Sequence, residues 1–337
     1  MKTFPLLPAA LATLAPDELI NFRTSRYLGD NISVPLAAFV PVDQARVRYV
    51  YATLQSLLGV VRAHLDTPAD GLAALRMFIE QSGWLGVVRS MQQLGDTTSD
   101  ANDEILNKVV HDIRGGGFQA LSIQLQFINY GIWQTDDLHR LFFLTRDHLK
   151  IMRNAVVGLD QEGYERDRSD NLHGVNLLTE KWQRAVHKLR ERAATVHVDC
   201  SFAGNVSERC LEFAALDRVL YNLMNNAVRN TADDEVFLAI MPIPQAEPEN
   251  LRFVIYNRID ADQHTLLRER YGTDVGALFH GGFTTGGTGL GMRICADFVT
   301  NAFGIRTVDD GLHGGYFGAV QQDEYFVNWF HWPIAAD

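Results

Sequence analysis

The first half of the chain repeats hydrophobic residues at helical spacing. Between residues 43 and 95 they include Val47, Val50, Tyr51, Leu54, Leu57 and Leu58. Gaps of three and four residues place such side chains on one face of a helix. A second helix is predicted from Gly71 to Gln81. Residues 1–95 are therefore predicted to be a helical N-terminal region, which serves either as a sensor or docking element or as a plain cap on the next domain. The mixed pattern of residues 1–45 indicates no role.

Two longer hydrophobic seams follow between residues 100 and 159. The first consists of Ile105, Val109, Ile113, Gly116, Ala120, Ile123 and Phe127, and the second of Leu138, Phe142, Thr145, Leu149, Met152, Val156 and Leu159. Both repeat at alternating gaps of three and four residues, as in coiled coils, and a polar connection at 133–137 joins them. Because one such hairpin buries little by itself, we expect two copies to form a four-helix bundle, and hence a homodimer.

His111 lies in the first of these helices, off the hydrophobic seam, and is expected to face water. A lone exposed histidine is ordinarily a solvated side chain. Here Asp112 follows it, and three glycines at 115–117 come next. Each glycine inside a helix costs up to about 1 kcal/mol relative to alanine, so this run indicates a bend or a close approach. The combination favours a functional histidine.

The pattern changes after a charged segment at 160–170, which is predicted to be a linker. Strands are predicted at 175–178, 196–200, 235–242, 251–256, 314–320 and 325–332, and helices at 179–194 and 290–303. The chain is thus predicted to be an α+β multidomain protein with a helical first half.

The predicted helix around residues 216–231 carries an unusual polar stripe. Its hydrophobic frame leaves Asn222, Asn226 and Arg229 on one side, at helical spacing. Asparagine is a poor residue for a helix interior, so the stripe is either a solvated face or a site. An amide oxygen can bind Mg²⁺ and an arginine can bind phosphate, which makes a nucleotide site the alternative to plain solvation.

A glycine-rich loop at 283–291 leads into the helix predicted at 290–303. Free N–H groups at a helix start, together with glycines that allow close approach, suit a phosphate group. The loop lacks the Gly-Lys-Ser/Thr of a Walker A motif, and Met292 stands where a dinucleotide fingerprint needs its third small residue. A flexible surface loop is the alternative for this stretch taken alone.

Composition excludes several classes of protein. A net charge of −11 and a pI near 5.4 argue against nucleic acid as a partner. No run of about 18 apolar residues exists, so no membrane span is predicted. The three cysteines show no metal spacing and suit a reducing compartment. The N-terminus imitates a signal peptide only weakly, so we expect a cytoplasmic protein.

Together these motifs resemble those of two-component sensor histidine kinases, over residues 100–337. His111–Arg114 looks like the H-box, and Asn222–Ala227 looks like the N-box. Phe279–Phe283 stands where the F-box lies, and Gly287–Gly291 looks like the G2 box. The four occur in the family's order. The resemblance implies a dimeric helical-hairpin phosphoacceptor domain at 96–160 and a Bergerat-fold α/β sandwich at 171–337, as in gyrase, Hsp90 and MutL.

The resemblance also implies ATP and Mg²⁺ as cofactors and assigns roles to residues. His111 would accept the phosphoryl group, and Asp112 would orient the imidazole and act as general base. Asn226 would bind Mg²⁺, with Asn222 and Arg229 around the phosphates. The triphosphate would be held by Thr284, Thr285, Gly287, Gly289, Leu290 and Gly291.

Three positions depart from family patterns. The adenine-reading Asp-x-Gly-x-Gly is absent, and Asn257 is the candidate for that contact. Asn222 stands where related ATPases carry a water-activating glutamate, which favours transfer over hydrolysis. Gly115 stands where phosphatase-competent kinases carry Thr or Asn, so phosphatase activity by that route is expected to be weak or absent.

The sequence therefore predicts a sensor histidine kinase that phosphorylates His111 and passes the phosphoryl group to an aspartate of a response-regulator receiver domain. The alternative is a histidine phosphotransferase or scaffold with a degenerate nucleotide site. A third reading, an ATPase coupled to conformational work, lacks the water-activating glutamate.

Overall fold

The computed structural model describes residues 4–6, 8–16, 18–27, 32–96, 103–134, 136–189, 192–243, 249–282 and 289–335. Its helices are α1 (Pro8–Ala12), α2 (Pro41–Ala63), α3 (Pro68–Gln81), α4 (Trp84–Gln92), α5 (Glu104–Arg114), α6 (Gly116–Asn129), α7 (Asp136–Ala155), α8 (Gln161–Arg168), α9 (Asn176–Trp182), α10 (Cys210–Asn230), α11 (Ala261–Tyr271), α12 (Gly291–Phe303) and α13 (Val308–His313). Its strands are β1 (Val34–Pro35), β2 (Val156–Val157), β3 (Asp170–Gly174), β4 (Val186–Leu189), β5 (Arg192–Cys200), β6 (Asn205–Arg209), β7 (Glu235–Pro242), β8 (Asn250–Arg258), β9 (Phe317–Gln322) and β10 (Tyr325–Pro333).

The chain folds as two compact units. The helical unit comprises residues 32–168 and 188–190, and the sheet unit comprises residues 1–31, 169–187 and 191–337. The predicted mixture of helices and sheet is therefore confirmed. Within the described residues, no helix is both long and apolar enough to cross a membrane.

In the helical unit, α2 and α6 both pack against α7. The two predicted seams are only partly buried there. Val109, Ile113, Leu138 and Met152 are fully enclosed, whereas Ile105 is exposed and Phe127 and Phe142 are half-buried. Helix α2 of the same chain thus covers part of the hairpin. The four-helix bundle of two chains and the homodimer stay predictions.

The segment predicted to be a linker is folded. It forms helix α8, in which Tyr164 is buried, and Arg153 of α7 pairs with Asp167 at 2.6 Å between Nε and Oδ2. Tyr51 donates a hydrogen bond of 2.6 Å to Asp160. The charged residues Asp160 and Asp167 therefore form buried or half-buried contacts within the helical unit. The charged composition of the segment did not indicate these contacts.

The sheet unit is built on a large sheet with the strand order β4-β5-β7-β8-β10-β9. The strands predicted at 235–242 and 251–256 are confirmed as β7 and β8, and they form an antiparallel pair with Phe237 opposite Tyr256. The predicted terminal strands pair as β9 and β10. The predicted last helix is confirmed as α12, which ends at Gly304 with a left-handed φ of 69°.

Two predicted elements are wrong. Residues 175–178 belong to a helix start rather than a strand, and the helix predicted at 179–194 ends at Trp182. The backbone turns at Arg184, whose φ is 58°, and strands β4 and β5 follow. Leu178 and Trp182 are buried at helical spacing, whereas residues 194–198 bury alternate side chains as a strand does.

The N-terminal part of the chain covers one face of the large sheet. We call the described residues between 4 and 27 the N-terminal strap. Its Leu6 and Leu11 are buried in one cluster with Phe237, Ala239, Val254, Tyr256 and Val327. Helices α10 and α12 contact β8 and β10, whose other face is equally buried. The sequence pattern did not indicate that the strap belongs to the sheet.

Arg252 of β8 holds the strap in place. Its guanidinium is 1% exposed and donates to the carbonyl oxygens of Leu11, Ala12, Ala15 and Pro16. Its Nε also donates to Nε2 of His331 at 2.9 Å. Because α1 ends at Ala12, this one cation satisfies carbonyls that a helix end leaves without partners.

Candidate functional site

Helix α10 presents the polar stripe on its less covered side. Leu216, Val219, Leu220, Leu223 and Ala227 are buried, and they anchor the helix in the core. Asn222, Asn226 and Arg229 are all only half-buried. A hydrophobic frame therefore fixes the helix and leaves the stripe accessible to a ligand.

The start of α12 lies beside this stripe. A Cβ atom added to Gly291 would lie 3.6 Å from Oδ1 of Asn222. The N-cap residue, Leu290, makes no side-chain capping bond, and the first turn of α12 contains no acidic residue. A helix start with uncapped N–H groups next to amide side chains is suited to an anion such as phosphate.

The ends of the glycine-rich loop are held together. The N–H of Gly282 donates to the carbonyl of Gly289 at 3.1 Å, and both residues have a left-handed φ, of 82° and 74°. Beside them Phe279 is fully buried against Phe317, with ring centroids 4.9 Å apart. The predicted phosphate-binding residues Thr284, Thr285 and Gly287 lie outside the described residues.

Asn226, the predicted Mg²⁺ ligand, offers one amide oxygen. That Oδ1 accepts a hydrogen bond of 3.1 Å from Asn230, and the Nδ2 lies 3.9 Å from Sδ of Met292. Within the described residues, no three His, Cys, Asp or Glu side chains cluster in a way that could hold a metal. This donor set fits Mg²⁺ that takes most of its oxygens from phosphates and water, as it does in many nucleotide sites.

Asn257 lies at the end of β8 and is 1% exposed. Its Nδ2 donates to the carbonyl of Arg258 at 3.1 Å, whereas its buried Oδ1 has no partner. A buried acceptor without a donor costs about 1–3 kcal/mol. The role of Asn257 as the adenine contact stays a prediction, and its buried Oδ1 is the atom that would accept the hydrogen bond.

Two buried contacts position α10, and the sequence analysis missed both. Lys181 of α9 pairs with Asp217 at 2.5 Å, with both side chains buried. Nε2 of His187 lies 2.7 Å from Oδ1 of Asn225, and both are buried. The side chain of Asn225 therefore faces the core, and this contact gives that asparagine a structural role. Lys181 falls within the helix predicted at 179–194, and nothing in that sequence pattern indicated a buried ion pair with Asp217.

His111 and Asp112 lie near the end of α5, in the helical unit. The side chain of His111 is 16% exposed and that of Asp112 is 3% exposed. The imidazole is thus part-buried rather than turned fully to water. Its Nδ1 is buried 3.5 Å from Oδ1 of Asp112, so the exposed part of the ring lies away from that nitrogen. This arrangement suits a carboxylate that orients the ring and leaves Nε2 to react.

Gly115 produces the predicted break, because it separates α5 from α6. Its N–H donates to the carbonyl of His111 at 2.7 Å, and a Cβ atom at this position would lie 2.7 Å from that same oxygen. A side chain at residue 115 therefore clashes with the backbone of His111.

We expect Gly115→Ala to lower the free energy of unfolding by about 1–3 kcal/mol, since the added methyl group forces the backbone to shift. Gly59→Ala in α2 is the matched control, because a Cβ there meets nothing within 4 Å. That variant gains about 0.5–1 kcal/mol from helix propensity. Urea unfolding of both variants measures the difference, and equal stabilities would contradict the close approach at Gly115.

His148 of α7 is a second histidine near this break, and the sequence analysis missed it. It is fully buried, neither ring nitrogen has a partner, and the ring packs on Phe118 at 5.5 Å between centroids. Burial lowers the pKa of His148 to about 3, and the charge of Asp112 opposes that shift only partly. His148 is therefore neutral in the folded protein.

This burial makes stability depend on pH. The pKa of His148 rises from about 3 when folded to about 6.5 when unfolded, so acid favours the unfolded chain. The stabilisation is complete above pH 6.5 and is lost as the pH falls towards 3. Between pH 7 and pH 5 the loss from this one group is about 2 kcal/mol. Urea unfolding of wild type and His148→Leu at both pH values checks it. If both lose the same stability, the neutral buried imidazole is contradicted.

The predicted site residues thus fall into two groups. His111 and Asp112 belong to the helical unit, whereas Asn222, Asn226, Arg229, Asn257, Gly289, Leu290 and Gly291 belong to the sheet unit. Within the sheet unit, the stripe of α10 lies beside the start of α12, since Gly291 is next to Asn222 and Met292 is next to Asn226.

Comparison with known proteins finds a family match within the sheet unit. Residues 213–324 match the family "Histidine kinase-, DNA gyrase B-, and HSP90-like ATPase". No curated protein sequence matches the chain.

Among solved structures, the catalytic domain of histidine kinase ThkA is 20% identical over 42% of this chain and 80% of its own, with a TM-score of 0.27. Histidine kinase AdeS of Acinetobacter baumannii is 15% identical over 67% of this chain and 98% of its own, with a TM-score of 0.30. Histidine kinase ThkA in complex with response regulator protein TrrA is 14% identical over 74% of this chain and 67% of its own, with a TM-score of 0.29.

At such low identities and scores, the family model is the finding that assigns the domain. It covers α10, with its asparagine stripe, and the start of α12. Residues 213–324 therefore resemble a domain of the histidine kinase-, DNA gyrase B-, and HSP90-like ATPase family, which agrees with the resemblance predicted for this part of the chain from its motifs.

Proposed function

We propose that the protein is a cytoplasmic sensor histidine kinase that uses ATP and Mg²⁺ to phosphorylate its own His111. The observation that carries this proposal is the open polar stripe of α10 beside the uncapped start of α12, in a domain of an ATPase family. In this proposal residues 171–337 form the catalytic domain, and residues 96–160 form the dimerisation and phosphotransfer domain. Residues 1–95 have no assigned role.

The proposed transfer step is supported by the position of Asp112 beside His111. Nε2 attacks the γ-phosphorus, the bond from phosphorus to the β–γ bridging oxygen breaks, and ADP leaves with that electron pair. The imidazole then carries a positive charge, and the proton on Nδ1 passes to the carboxylate of Asp112, which lies 3.5 Å away. Phosphoryl transfer needs mainly in-line positioning and neutralised charge, which the catalytic domain supplies.

Mg²⁺ neutralises phosphate charge when it is bound with ATP. Asn226 would hold it through the amide oxygen, and Asn222 and Arg229 would contact the phosphates. An amide at position 222 cannot take a proton from water. Transfer to a histidine is therefore favoured over steady hydrolysis.

The proposed acceptor of the phosphoryl group is an aspartate on the receiver domain of a response regulator. The proposal includes a homodimer, which transfer within one chain does not require.

One experiment tests the proposal directly. The full chain is incubated with Mg²⁺ and γ-labelled ATP, and the bound label is exposed to acid and to base. Phosphohistidine is labile in acid and stable in base, so we expect label that survives base only. Label that survives acid would indicate a different acceptor, and an unlabelled protein would remove the kinase assignment.

A second candidate function rests on Asn257. In place of an Asp-x-Gly-x-Gly run, the chain has Asn257 followed by Arg258, Ile259 and Asp260. This departure favours a histidine phosphotransferase or scaffold with a degenerate nucleotide site. Calorimetric titration with ATP and Mg²⁺ separates the two candidates, since micromolar binding supports the kinase and no binding supports the scaffold.

A further inference from the structure

Asn328 is a buried amide in the middle of strand β10. It is fully buried, and neither its Oδ1 nor its Nδ2 has a hydrogen-bond partner among the residues that the structure describes. Its cross-strand neighbours are Ile255 on β8 and Ala319 on β9. An amide among apolar side chains destabilises the protein unless something binds it, because each buried polar atom without a partner carries a desolvation cost. The residue therefore has no structural explanation within the sheet.

Asn328 shares a sheet face with Asn257. Residues directly opposite each other in an antiparallel pair lie on the same face, and so do residues two apart along a strand. Since Asn257 is opposite Phe326 and Ile255 is opposite Asn328, the two amides are diagonal neighbours. Phe253 and Phe330 stack next to them at 4.8 Å between centroids, which fits this register.

This face is opposite to the one that the N-terminal strap covers. The strap cluster contains Val254, Tyr256 and Val327, whose side chains alternate with those of Asn257 and Asn328. The two amides thus lie on the side of the sheet where α10 and α12 lie, and where the proposed nucleotide site is built. Both bring buried polar atoms without partners to that side.

We propose that Asn328 is a second base-contacting residue of the nucleotide site, an assignment that rests on the proposed function. Nδ2 of Asn257 is held by the carbonyl of Arg258, so its free Oδ1 needs a donor. The exocyclic amine of adenine is such a donor, whereas guanine carries an acceptor oxygen at that position. Asn328 then donates its Nδ2 to the ring nitrogen N1 of adenine. If position 257 carried a carboxylate and position 328 an apolar residue, the pair would contact only the exocyclic amine of adenine and not its N1.

Analogues of ATP that each lack one of these groups test the assignment, through calorimetric titration with Mg²⁺. We expect Asn328→Leu to weaken ATP about tenfold and to leave the affinity for 1-deaza-ATP, which lacks N1, unchanged. Asn257→Leu should weaken ATP about tenfold and leave purine riboside triphosphate, which lacks the amine, unchanged. Wild type should prefer ATP to GTP.

Thermal unfolding without nucleotide supplies a second readout. Replacing a buried amide that has no partner with an apolar side chain of similar size is neutral or stabilising, so the melting temperature of Asn328→Leu should equal or exceed that of wild type. A lower melting temperature together with equal losses for all nucleotides would make Asn328 a structural residue and overturn the assignment.

The binding results for wild type and Asn328→Leu together distinguish failure of the base contact from failure of the proposed function. If wild type binds ATP and Asn328→Leu binds it equally well, Asn328 does not contact the base, and the proposed function still stands. If wild type binds no nucleotide, the proposed function loses its cofactor and this assignment fails with it.

Discussion

Labelling from γ-labelled ATP disappears when His111 is replaced by alanine. The proposed transfer has one acceptor nitrogen, Nε2 of this ring, and alanine has none. We expect the acid-labile label to fall at least a hundredfold, to background, since no second base or nucleophile takes over a covalent step. Phosphoimaging of the full chain after acid and base treatment measures it.

His139→Ala is the matched control for this loss. His139 lies on α7 of the same unit and is exposed, so its removal changes the histidine count without touching Asp112 or Gly115. We expect the label of this variant to equal that of wild type. Normal labelling of His111→Ala would exclude His111 as the acceptor and would leave the nucleotide site without its proposed partner.

Arg252→Leu should lower the free energy of unfolding by about 3–5 kcal/mol, because removal of a buried charged donor leaves several buried acceptors without partners. Four strap carbonyls and Nε2 of His331 lose their donor at once. Urea unfolding of the variant gives the loss. Limited proteolysis reports separately whether residues 4–27 have become accessible.

Arg258→Leu provides the comparison on the same strand. Arg258 is exposed and pairs with Glu324 at the surface, at 2.8 Å. An exposed ion pair contributes between zero and about 1 kcal/mol, so this variant should unfold much as wild type does. Similar small losses in both variants would mean that the strap is bound by its apolar residues alone.

Short motifs were the most predictable part of this protein. The asparagine stripe could be predicted because residues 222, 226 and 229 interrupt an otherwise apolar helix at helical spacing, and local spacing alone decides which side they share. Strands β7, β8, β9 and β10 were predictable for the same reason, since their alternation and turns are local. The break at Gly115 followed from the cost of glycine in a helix.

The sequence pattern could not predict contacts between segments that are distant in the chain. The linker prediction failed because charge looks the same in solvent as in the buried pair of Arg153 and Asp167. Asn328 was hidden among aromatic residues that indicate only a buried strand. His148 was hidden within an apolar seam, where one imidazole does not change the periodicity. The environment of each of these residues is set by segments that are distant in sequence and pack against it in the folded protein.

The anchoring of the strap has a consequence for biosynthesis. Leu11 and Arg252 are 241 positions apart in sequence. During translation the first thirty or so residues leave the ribosome long before their docking surface exists, and the whole helical unit is synthesised in between. Formation of the contact between the strap and β8 is therefore expected to be a late and slow step in folding, because it closes a long loop. Until then Leu6 and Leu11 of the strap have no sheet to pack against and stay exposed to solvent.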